Sequence, residues 1–527
     1  MNPYSLNRKE KFTLFLKNNL FPIVLTLIFL ILSIVLIIHH EFWYDEINVW
    51  DRVVDSNNFT DLIKNISDSE GHPFLWYVIL FFLSKITLNV EAIKIIHLGI
   101  STTAIFIFLK YFPYKKIISA LFIFSYFLFY EYSIISRNYS LGVLFIFIFC
   151  ALYKNKFKNI IFISITLLFL AQTNIYCVII SFILSIYFII DLITNYKSNK
   201  SIIILKKNII ISILIILLGW VLISLQLGPQ FFENTQGFSY NSIKLLDNAS
   251  SLVPRGVISA FLPIPRINYL FWYTNVNFFT QHLIYHNLLY SIIPAIILII
   301  IPIFFLKRKV IFIYVAGTSL MLLIPLFVFK GVLRHYGNII ILLIACLWLS
   351  KNEPDDKYLI NNKLFKPIFY IFISIFLIVS IIGSSIAFYY EYKYPFTEGK
   401  EVAKYIEENF NKDDIIIVGF RCMDTNVVSA YLQKKFYYPE LKQYGRFLYN
   451  SISEDISKSG EKIDIENAFK QARELFEKNN KDVLVITNKL LIENPDIPIK
   501  YGFSKIEKEF QKSIIDYDIL QLYILRK

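Results

Sequence analysis

Long runs of apolar residues, separated by short polar segments, fill most of the first 390 positions of the chain. About 20 apolar residues in a helix cross the hydrocarbon core of a bilayer, and the run from Leu20 to Ile38 is of this length. We expect it to be a retained span, because it lacks a small-residue cleavage site. The pattern predicts an all-α polytopic membrane protein. Twelve such runs lie at 20–38, 73–88, 92–110, 117–130, 139–153, 159–171, 175–191, 208–227, 284–306, 310–329, 336–350 and 367–388.

The basic loops between these runs indicate which runs cross the membrane, since Lys and Arg concentrate on the cytoplasmic side. If all twelve crossed, the basic segments 113–116 and 153–159 would lie outside. If the run 73–88, which begins with Pro73 and contains Lys85, is instead a short helix at the outer interface, every basic loop becomes cytoplasmic. The charge pattern therefore favours about 11 transmembrane helices, with residues 39–91 and everything after 390 on the outer face.

The composition changes sharply after residue 390, where the chain becomes rich in charged residues. Two segments have the spacing of amphipathic helices, "GKEVAKYIEENF" (399–410) and "IENAFKQARELFEKNN" (465–480). Three more resemble strands, at 414–420, 482–487 and 516–525. We therefore predict a transmembrane domain at 1–390, which includes the first outer loop at 39–91, and a small extracytoplasmic α/β domain at 391–527.

Overall composition narrows the class of protein further. The chain of 527 residues is 56% hydrophobic, above the ~45–50% typical of soluble proteins. Its net charge of +13 is typical of basic cytoplasmic loops, and we expect no nucleic-acid partner. The four cysteines show no metal-binding spacing. We expect a multi-pass protein of the cell (plasma or inner) membrane.

The first outer loop begins with an unusual acidic segment, "HHEFWYDEINVWD", directly after the first span. Asp45 and Glu46 are adjacent within it, among Trp and Tyr residues that are typical of the membrane interface. A solvated loop beside an aromatic belt would explain the segment. Charge so close to the membrane also suggests function, because a carboxylate there can act as a general base on a hydroxyl group.

Three further motifs fall on the same predicted face: "EGHPFLWY" with Glu70 and His72, "FYEYSIISRNYS" with Glu131 and Arg137, and "FKGVLRHYGN" with Lys330, Arg334 and His335. Arg255 and Arg266 are similar cations in the segment 228–283. Each motif also has a structural interpretation. His72 would mark a helix boundary, Glu131 and Arg137 would form a structural ion pair, and each single cation would extend its charged end to the interface. The functional interpretation is that cations bind a phosphate and stabilise its charge as it leaves. Together the motifs indicate a transferase with a lipid-phosphate donor.

The same motifs resemble those of the GT-C superfamily of integral-membrane glycosyltransferases. Within it, they are similar to bacterial relatives of the protein O-mannosyltransferases and of the lipid A aminoarabinose transferases. The resemblance spans roughly residues 20–350 and rests on "WYDEINVW", "EGHPFLWY", "SRNYSLGVLFI" (136–146) and "LRHYG" (333–337). It implies a polyprenyl-phosphate sugar donor, membrane lipids as surroundings, an acceptor glycan, lipid or protein, and inversion at the anomeric carbon.

The resemblance also implies roles for individual residues. Asp45 matches the family's acidic-motif Asp, the base, and Glu46 would be its structural or hydrogen-bonding neighbour. His72 occupies the position near the donor phosphate, and Glu131 is the best match for a further carboxylate. Some members use a divalent metal ion, which is left open for this chain. The remaining candidates for binding the donor phosphate or substrate are Arg137, Tyr139, Arg334 and His335.

Three other classes of function stay open. A transporter or flippase of lipid-linked glycans would typically show paired repeats and broken spans, and neither pattern is evident. An O-antigen-ligase-like glycan enzyme would also need outer Arg and His residues. A binding or sensory protein would work through its C-terminal domain.

Overall fold

The computed structural model describes residues 8–67, 72–198, 206–233, 252–272, 278–279, 289–327, 331–353, 363, 365–411, 413–447, 464–492, 494–515 and 519–527. Packing divides the chain into two compact units. We call the first the helical unit; it contains residues 1–37, 96–267 and 273–388. The second, the mixed unit, is assembled from residues 38–95, 268–272 and 389–527.

Helices dominate the described residues. In chain order they are α1 (Arg8–His39), α2 (Tyr44–Val54), α3 (Phe59–Ser67), α4 (Leu75–Ser84), α5 (Ala92–Tyr111), α6 (Lys116–Ile123), α7 (Tyr139–Tyr153), α8 (Ile160–Ala171), α9 (Ile175–Ser198), α10 (Lys206–Glu233), α11 (Val253–Phe261), α12 (Leu289–Ile300), α13 (Arg308–Phe327), α14 (Leu333–Asn352), α15 (Phe365–Lys393), α16 (Gly399–Asn409), α17 (Cys422–Leu432), α18 (Ile465–Asn479) and α19 (Asp496–Lys500).

Seven helices in the described part of the chain are long and apolar enough to cross a membrane, which confirms the prediction of a polytopic helical protein. In α14 the most apolar window is 89% buried within the protein, so this helix lies among the others. In α10 only 22% is buried, as expected of a helix that faces lipid. The seven spans are Asn19–His39, Ala92–Tyr111, Ile175–Asn195, Lys206–Leu227, Arg308–Phe327, Leu333–Asn352 and Phe365–Lys393.

The other apolar runs form shorter helices, so the predicted number of spans stays a prediction. Helix α4 has 10 residues and rises about 15 Å, half the ~30 Å of the hydrocarbon core. Its length fits the expectation that the run 73–88 does not cross. The other short apolar helices are Tyr139–Tyr153, Ile160–Ala171 and Ile292–Phe305, the last of which ends in a 3-10 turn.

The run 117–130 does not form one helix, in contrast to the prediction of a continuous span there. Helix α6 ends at Ile123, and Ser125 has an extended backbone with φ −68° and ψ 154°. A π-helix, Tyr126–Glu131, follows at once. Such wide turns are rare and occur frequently at functional sites. The π-helix ends five residues before Ser136, the first residue of the "SRNYS" motif.

The mixed unit contains the predicted C-terminal α/β domain, which is confirmed as a six-stranded sheet with helices. The strands pack in the order β3-β2-β1-β4-β6-β5. Strand β1 is parallel to β2 and β4, whereas β6 runs antiparallel to β4 and β5. Their bounds are β1 (Ile416–Gly419), β2 (Phe436–Tyr438), β3 (Gln443–Gly445), β4 (Val483–Asn488), β5 (Ser504–Lys505) and β6 (Leu520–Leu525).

Alternating side chains of the central strands build two apolar cores, one on each face of the sheet. Ile417 and Leu484 pack with α16 and α17 on one face. Val418 and Val485 pack with α18 on the other. Since both faces are covered, the central strands β1 and β4 are fully buried, which explains their continuous apolar sequence.

Helices α2 to α4, which lie in the predicted first outer loop, belong to the same packing unit as this sheet. The hydroxyl of Thr397 donates to the carbonyl of Phe42 at 2.9 Å. The amide of Asn426 donates to Asp51 at 3.4 Å. The start of the outer loop is therefore fixed to the helices around the sheet. The boundary drawn after residue 390 stays a prediction.

Candidate functional site

The acidic segment forms the start of α2 and the turn before it. Trp43 is the N-cap residue, and its carbonyl accepts from the backbone amides of Glu46 and Ile47 at 3.1 and 3.2 Å. The Glu46 carboxylate in turn accepts from the backbone amide of Trp43 at 3.2 Å. Glu46 therefore satisfies one of the amides that the first turn of a helix leaves without a partner.

Glu46 is also bound to a buried histidine. Its Oε2 atom lies 3.1 Å from Nε2 of His40, and the Nδ1 atom of the same ring lies 2.9 Å from Glu391 Oε1. Burial by itself lowers the pKa of His40, but the Glu46 and Glu391 carboxylates outweigh it and raise the pKa to about 9. A carboxylate at each ring nitrogen favours the imidazolium form of His40, which can donate one hydrogen bond to each of them.

Asp51 and Asp55, two acids later in the segment, contact residues of the C-terminal domain. Asp51 is fully buried, and burial raises the pKa of its carboxyl well above the usual range. Asp55 lies 3.0 Å from the ammonium of Lys435 and 3.7 Å from the guanidinium of Arg446. Asp51 therefore contacts α17 through Asn426, and Asp55 contacts the segments next to β2 and β3 through Lys435 and Arg446.

Asp45 and Glu41 are only partly buried, unlike Asp51. Asp45 lies in the first turn of α2, where the positive end of a helix dipole favours acidic residues. Burial raises the pKa of Glu41 to about 7, although Lys400 and Lys94 oppose the shift. Asp45 is thus a partly exposed acid at a helix N-terminus.

His72 is a further predicted residue of this unit. It is half-buried and directly precedes Pro73 and α4. Helix α4 packs against α2. The motif "EGHPFLWY" is therefore joined to the acidic segment through a helix–helix contact. Its first residue, Glu70, lies outside the described residues.

The remaining predicted residues lie in the helical unit, where several are brought together. The rings of Tyr139 and Tyr132 stack with centroids 5.4 Å apart, and the Tyr132 hydroxyl donates to the carbonyl of Arg334 at 2.6 Å. The His335 ring lies 6.3 Å from the Tyr139 ring and stacks on Tyr176 at 5.5 Å. Motifs that are about 200 residues apart in sequence therefore share one aromatic cluster.

His335 has a defined tautomer in this arrangement. Its Nδ1 atom accepts a hydrogen bond from the backbone amide of Val332 at 3.0 Å, at the start of α14. Nδ1 is therefore unprotonated, and the ring can donate only from Nε2. The neighbouring Arg334 is largely buried.

Arg137 and Glu131 flank the turn between the π-helix and α7. Arg137 is 3% exposed, and its carbonyl accepts from the Ser140 hydroxyl, which also lies 3.2 Å from His97. Glu131 is 4% exposed and accepts from the Tyr126 hydroxyl at 3.2 Å. Ionisable side chains buried among apolar helices are costly and usually serve function.

The structure gives only the positions of the other candidate cations. Arg255 lies in α11, and Arg266 lies in the turn after it. Lys330 lies outside the described residues. Among the residues that the structure does describe, no group of three or more His, Cys, Asp or Glu side chains is arranged to hold a metal ion.

Sequence reasoning missed three residues of the acidic site. His40 and Glu391 are 351 positions apart, so no local pattern could join them. Lys94 donates to the carbonyl of His40 at 2.5 Å and pairs with Glu91 at 2.7 Å. The histidine pair at 39–40 and the lone acid at the end of the last span were the available signals.

Comparison with known proteins gives one solved structure to report. No protein-family model and no curated protein matches the sequence. The chain is similar to ArnT from Cupriavidus metallidurans in the apo state, over 95% of this chain and 97% of that chain. The two sequences are 8% identical, and the TM-score is 0.47.

Proposed function

We propose that the protein is a membrane glycosyltransferase that moves a monosaccharide from a polyprenyl-phosphate donor to a hydroxyl group of a glycan, lipid or protein outside the cytoplasm. The observation that carries the proposal is the position of Asp45, which is half-buried in the first turn of α2. Glu46 and Asp51 in the same segment are buried. A partly exposed carboxylate at this position can reach an acceptor hydroxyl as a general base.

In this reaction Asp45 takes the proton of the acceptor hydroxyl. The acceptor oxygen forms a bond to the anomeric carbon as the bond from that carbon to the phosphate oxygen breaks. The electron pair leaves with the polyprenyl phosphate, which is already a good leaving group. No strong acid is needed, and attack from the opposite face inverts the anomeric centre.

The cations of the helical unit are the proposed ligands of the donor phosphate. Arg137 and Arg334 are buried, and a phosphate beside them would accept charge-assisted hydrogen bonds from their guanidinium groups. His335 can donate from Nε2, because Nδ1 is occupied by Val332. Tyr139 contacts the His335 ring. His72 is the corresponding candidate in the mixed unit, and Glu131 is a candidate for orienting the sugar.

A purified-protein assay tests the proposal. A panel of polyprenyl-phosphate sugars is supplied with acceptor, and release of polyprenyl phosphate is measured for wild type, Asp45→Asn and Asp61→Asn. Asp61 is a matched control, since it too is a half-buried Asp in the first turn of an outer-loop helix. We expect release by wild type and Asp61→Asn only. No release with any donor would favour a transporter, and equal release by Asp45→Asn would exclude Asp45 as the base.

A further inference from the structure

The mixed unit contains a buried charge cluster that the proposed chemistry does not use. The His40 ring lies between the carboxylates of Glu46 and Glu391, and all three side chains are completely shielded from solvent. Each comes from a different element: His40 follows α1, Glu46 begins α2 and Glu391 lies near the end of α15. The cluster therefore fixes the start of α2 to the ends of the first and last membrane helices.

Two further charged groups lie around this cluster. Lys94 of α5 donates to the His40 carbonyl, and its ammonium lies over the Phe42 ring at 4.9 Å. Glu41 is the next residue along the chain, and its charge interacts with His40 and Lys94. With His40 protonated, the imidazolium compensates one of the two carboxylates that contact it. Without that charge, Glu46 and Glu391 would share a buried site as like charges, which is strongly unfavourable.

The cluster is joined directly to the backbone around Asp45. Glu46 contacts His40 and also accepts a hydrogen bond from the Trp43 amide. Trp43 and Glu46 flank Tyr44 and Asp45, so this bond spans the residue pair that contains Asp45. The Trp43 ring packs on Trp272 at 4.9 Å. Trp272 packs on Phe396, whose ring lies 4.7 Å from His40. A change at His40 would therefore reach the first turn of α2 by two routes.

We infer that His40 is a positioning residue: its positive charge, held between Glu46 and Glu391, offsets the repulsion between these carboxylates, keeps Glu46 in place as the cap of the first turn of α2 and thereby sets the position of the Asp45 carboxylate. This rests on the proposed function only for its effect on turnover. Its effect on α2 can be measured without any substrate. A misplacement of about 1 Å in a reacting group can cost about 100-fold in rate, which gives the size of effect to expect.

The test compares four full-length proteins: wild type, His40→Gln, the double variant His40→Gln/Glu391→Gln, and His39→Gln. The single variant removes the positive charge that contacts both buried carboxylates. The double variant removes one positive and one negative charge, so its cluster has the net charge of the wild type. His39 is the matched control, because it is the adjacent histidine and its side chain is exposed. If His40→Gln does not fold, the double variant carries the test.

Two readouts are taken from each protein. Amide hydrogen exchange reports the first turn of α2, where the Glu46 and Ile47 amides bond to the Trp43 carbonyl. Steady-state release of polyprenyl phosphate gives kcat and the donor KM. For His40→Gln we expect faster exchange at these two amides and a kcat about 100-fold lower, with the donor KM unchanged. The double variant should recover most of the slow amide exchange and most of the kcat. His39→Gln should match the wild type in both readouts.

Wild-type exchange in His40→Gln, or exchange that is equally fast in the single and double variants, would overturn the inference. A wild-type kcat in His40→Gln would also overturn it. If the wild type releases no polyprenyl phosphate from any donor, the proposed function fails. The exchange measurement still decides whether His40 fixes α2.

Discussion

Asp45 and Glu46 are neighbours in sequence, yet their surroundings give them different chemistry. Glu46 is 1% exposed, accepts from the Trp43 amide and binds the His40 imidazolium. Asp45 is half-buried and lies in the helical turn that Glu46 caps. The family resemblance implies that Asp45 is the base and Glu46 its structural or hydrogen-bonding neighbour. That division of roles stays a prediction.

The charge of His40 leads to a prediction about stability. Its folded-state pKa is about 9, against an ordinary value of 6.5. A raised pKa contributes stability that is complete below the ordinary value and is lost as pH rises through the folded value. The melting temperatures of wild type and His40→Gln should therefore converge between about pH 7 and pH 10. His39→Gln should follow the wild type throughout. A difference in melting temperature that does not change with pH would show that the charge of the His40 ring does not cause it.

At the scale of elements, most of the fold could be predicted from periodicity, because long elements repeat their pattern many times. Each of the twelve apolar runs contains a helix. In the C-terminal domain, α16, α18, β1, β4 and β6 lie where the pattern placed them. Strands β2, β3 and β5 have only three, three and two residues, which is too short for a pattern. Helix α17 was missed because most of its surface is buried, so it has no polar face.

The candidate site was harder to predict, because its contacts join distant parts of the chain. The local signals of "LRHYG" and "SRNYS" identified Arg334, His335, Arg137 and Tyr139. The two motifs meet through Tyr132 and Tyr176, which have no sequence signal. The π-helix before "SRNYS" was expected as part of a span, since apolar composition alone does not reveal a change of helix type.

The close approach of α14 to the π-helix gives a prediction at this scale. A Cβ atom at Gly337 would collide with the Phe127 ring and the Tyr132 hydroxyl, whereas one at Gly99 in α5 would meet nothing. Gly337→Ala should destabilise the protein by about 1–3 kcal/mol through overpacking. It should also lower turnover, because Tyr132 binds the Arg334 carbonyl.

Gly99→Ala is the matched control, since both glycines lie within helices. It should be neutral or stabilising by up to about 1 kcal/mol, because Ala is the better helix former. Thermal unfolding and the release assay measure both variants. Equal melting temperatures for the two would show that α14 has room to move away from the π-helix.

At the scale of the whole molecule, the topology from charge can be tested with engineered cysteines. All four native cysteines are buried, so an exposed reporter cysteine should dominate labelling. A membrane-impermeant maleimide should label Glu408→Cys, in the C-terminal domain, in intact cells. It should label Lys154→Cys, in a predicted cytoplasmic loop, only after permeabilisation. The reverse pattern would contradict the assignment of residues after 390 to the outer face.

The central claim is that Asp45 removes the acceptor proton during sugar transfer from a polyprenyl phosphate. The most direct measurement is the initial rate of polyprenyl phosphate release, with a donor that the wild type uses, for wild type, Asp45→Asn and Asp61→Asn. General-base catalysis predicts a rate about 10²–10⁴-fold lower for Asp45→Asn. The donor KM should be unchanged, and Asp61→Asn should keep the wild-type rate. A rate for Asp45→Asn within about twofold of the wild type would contradict the claim.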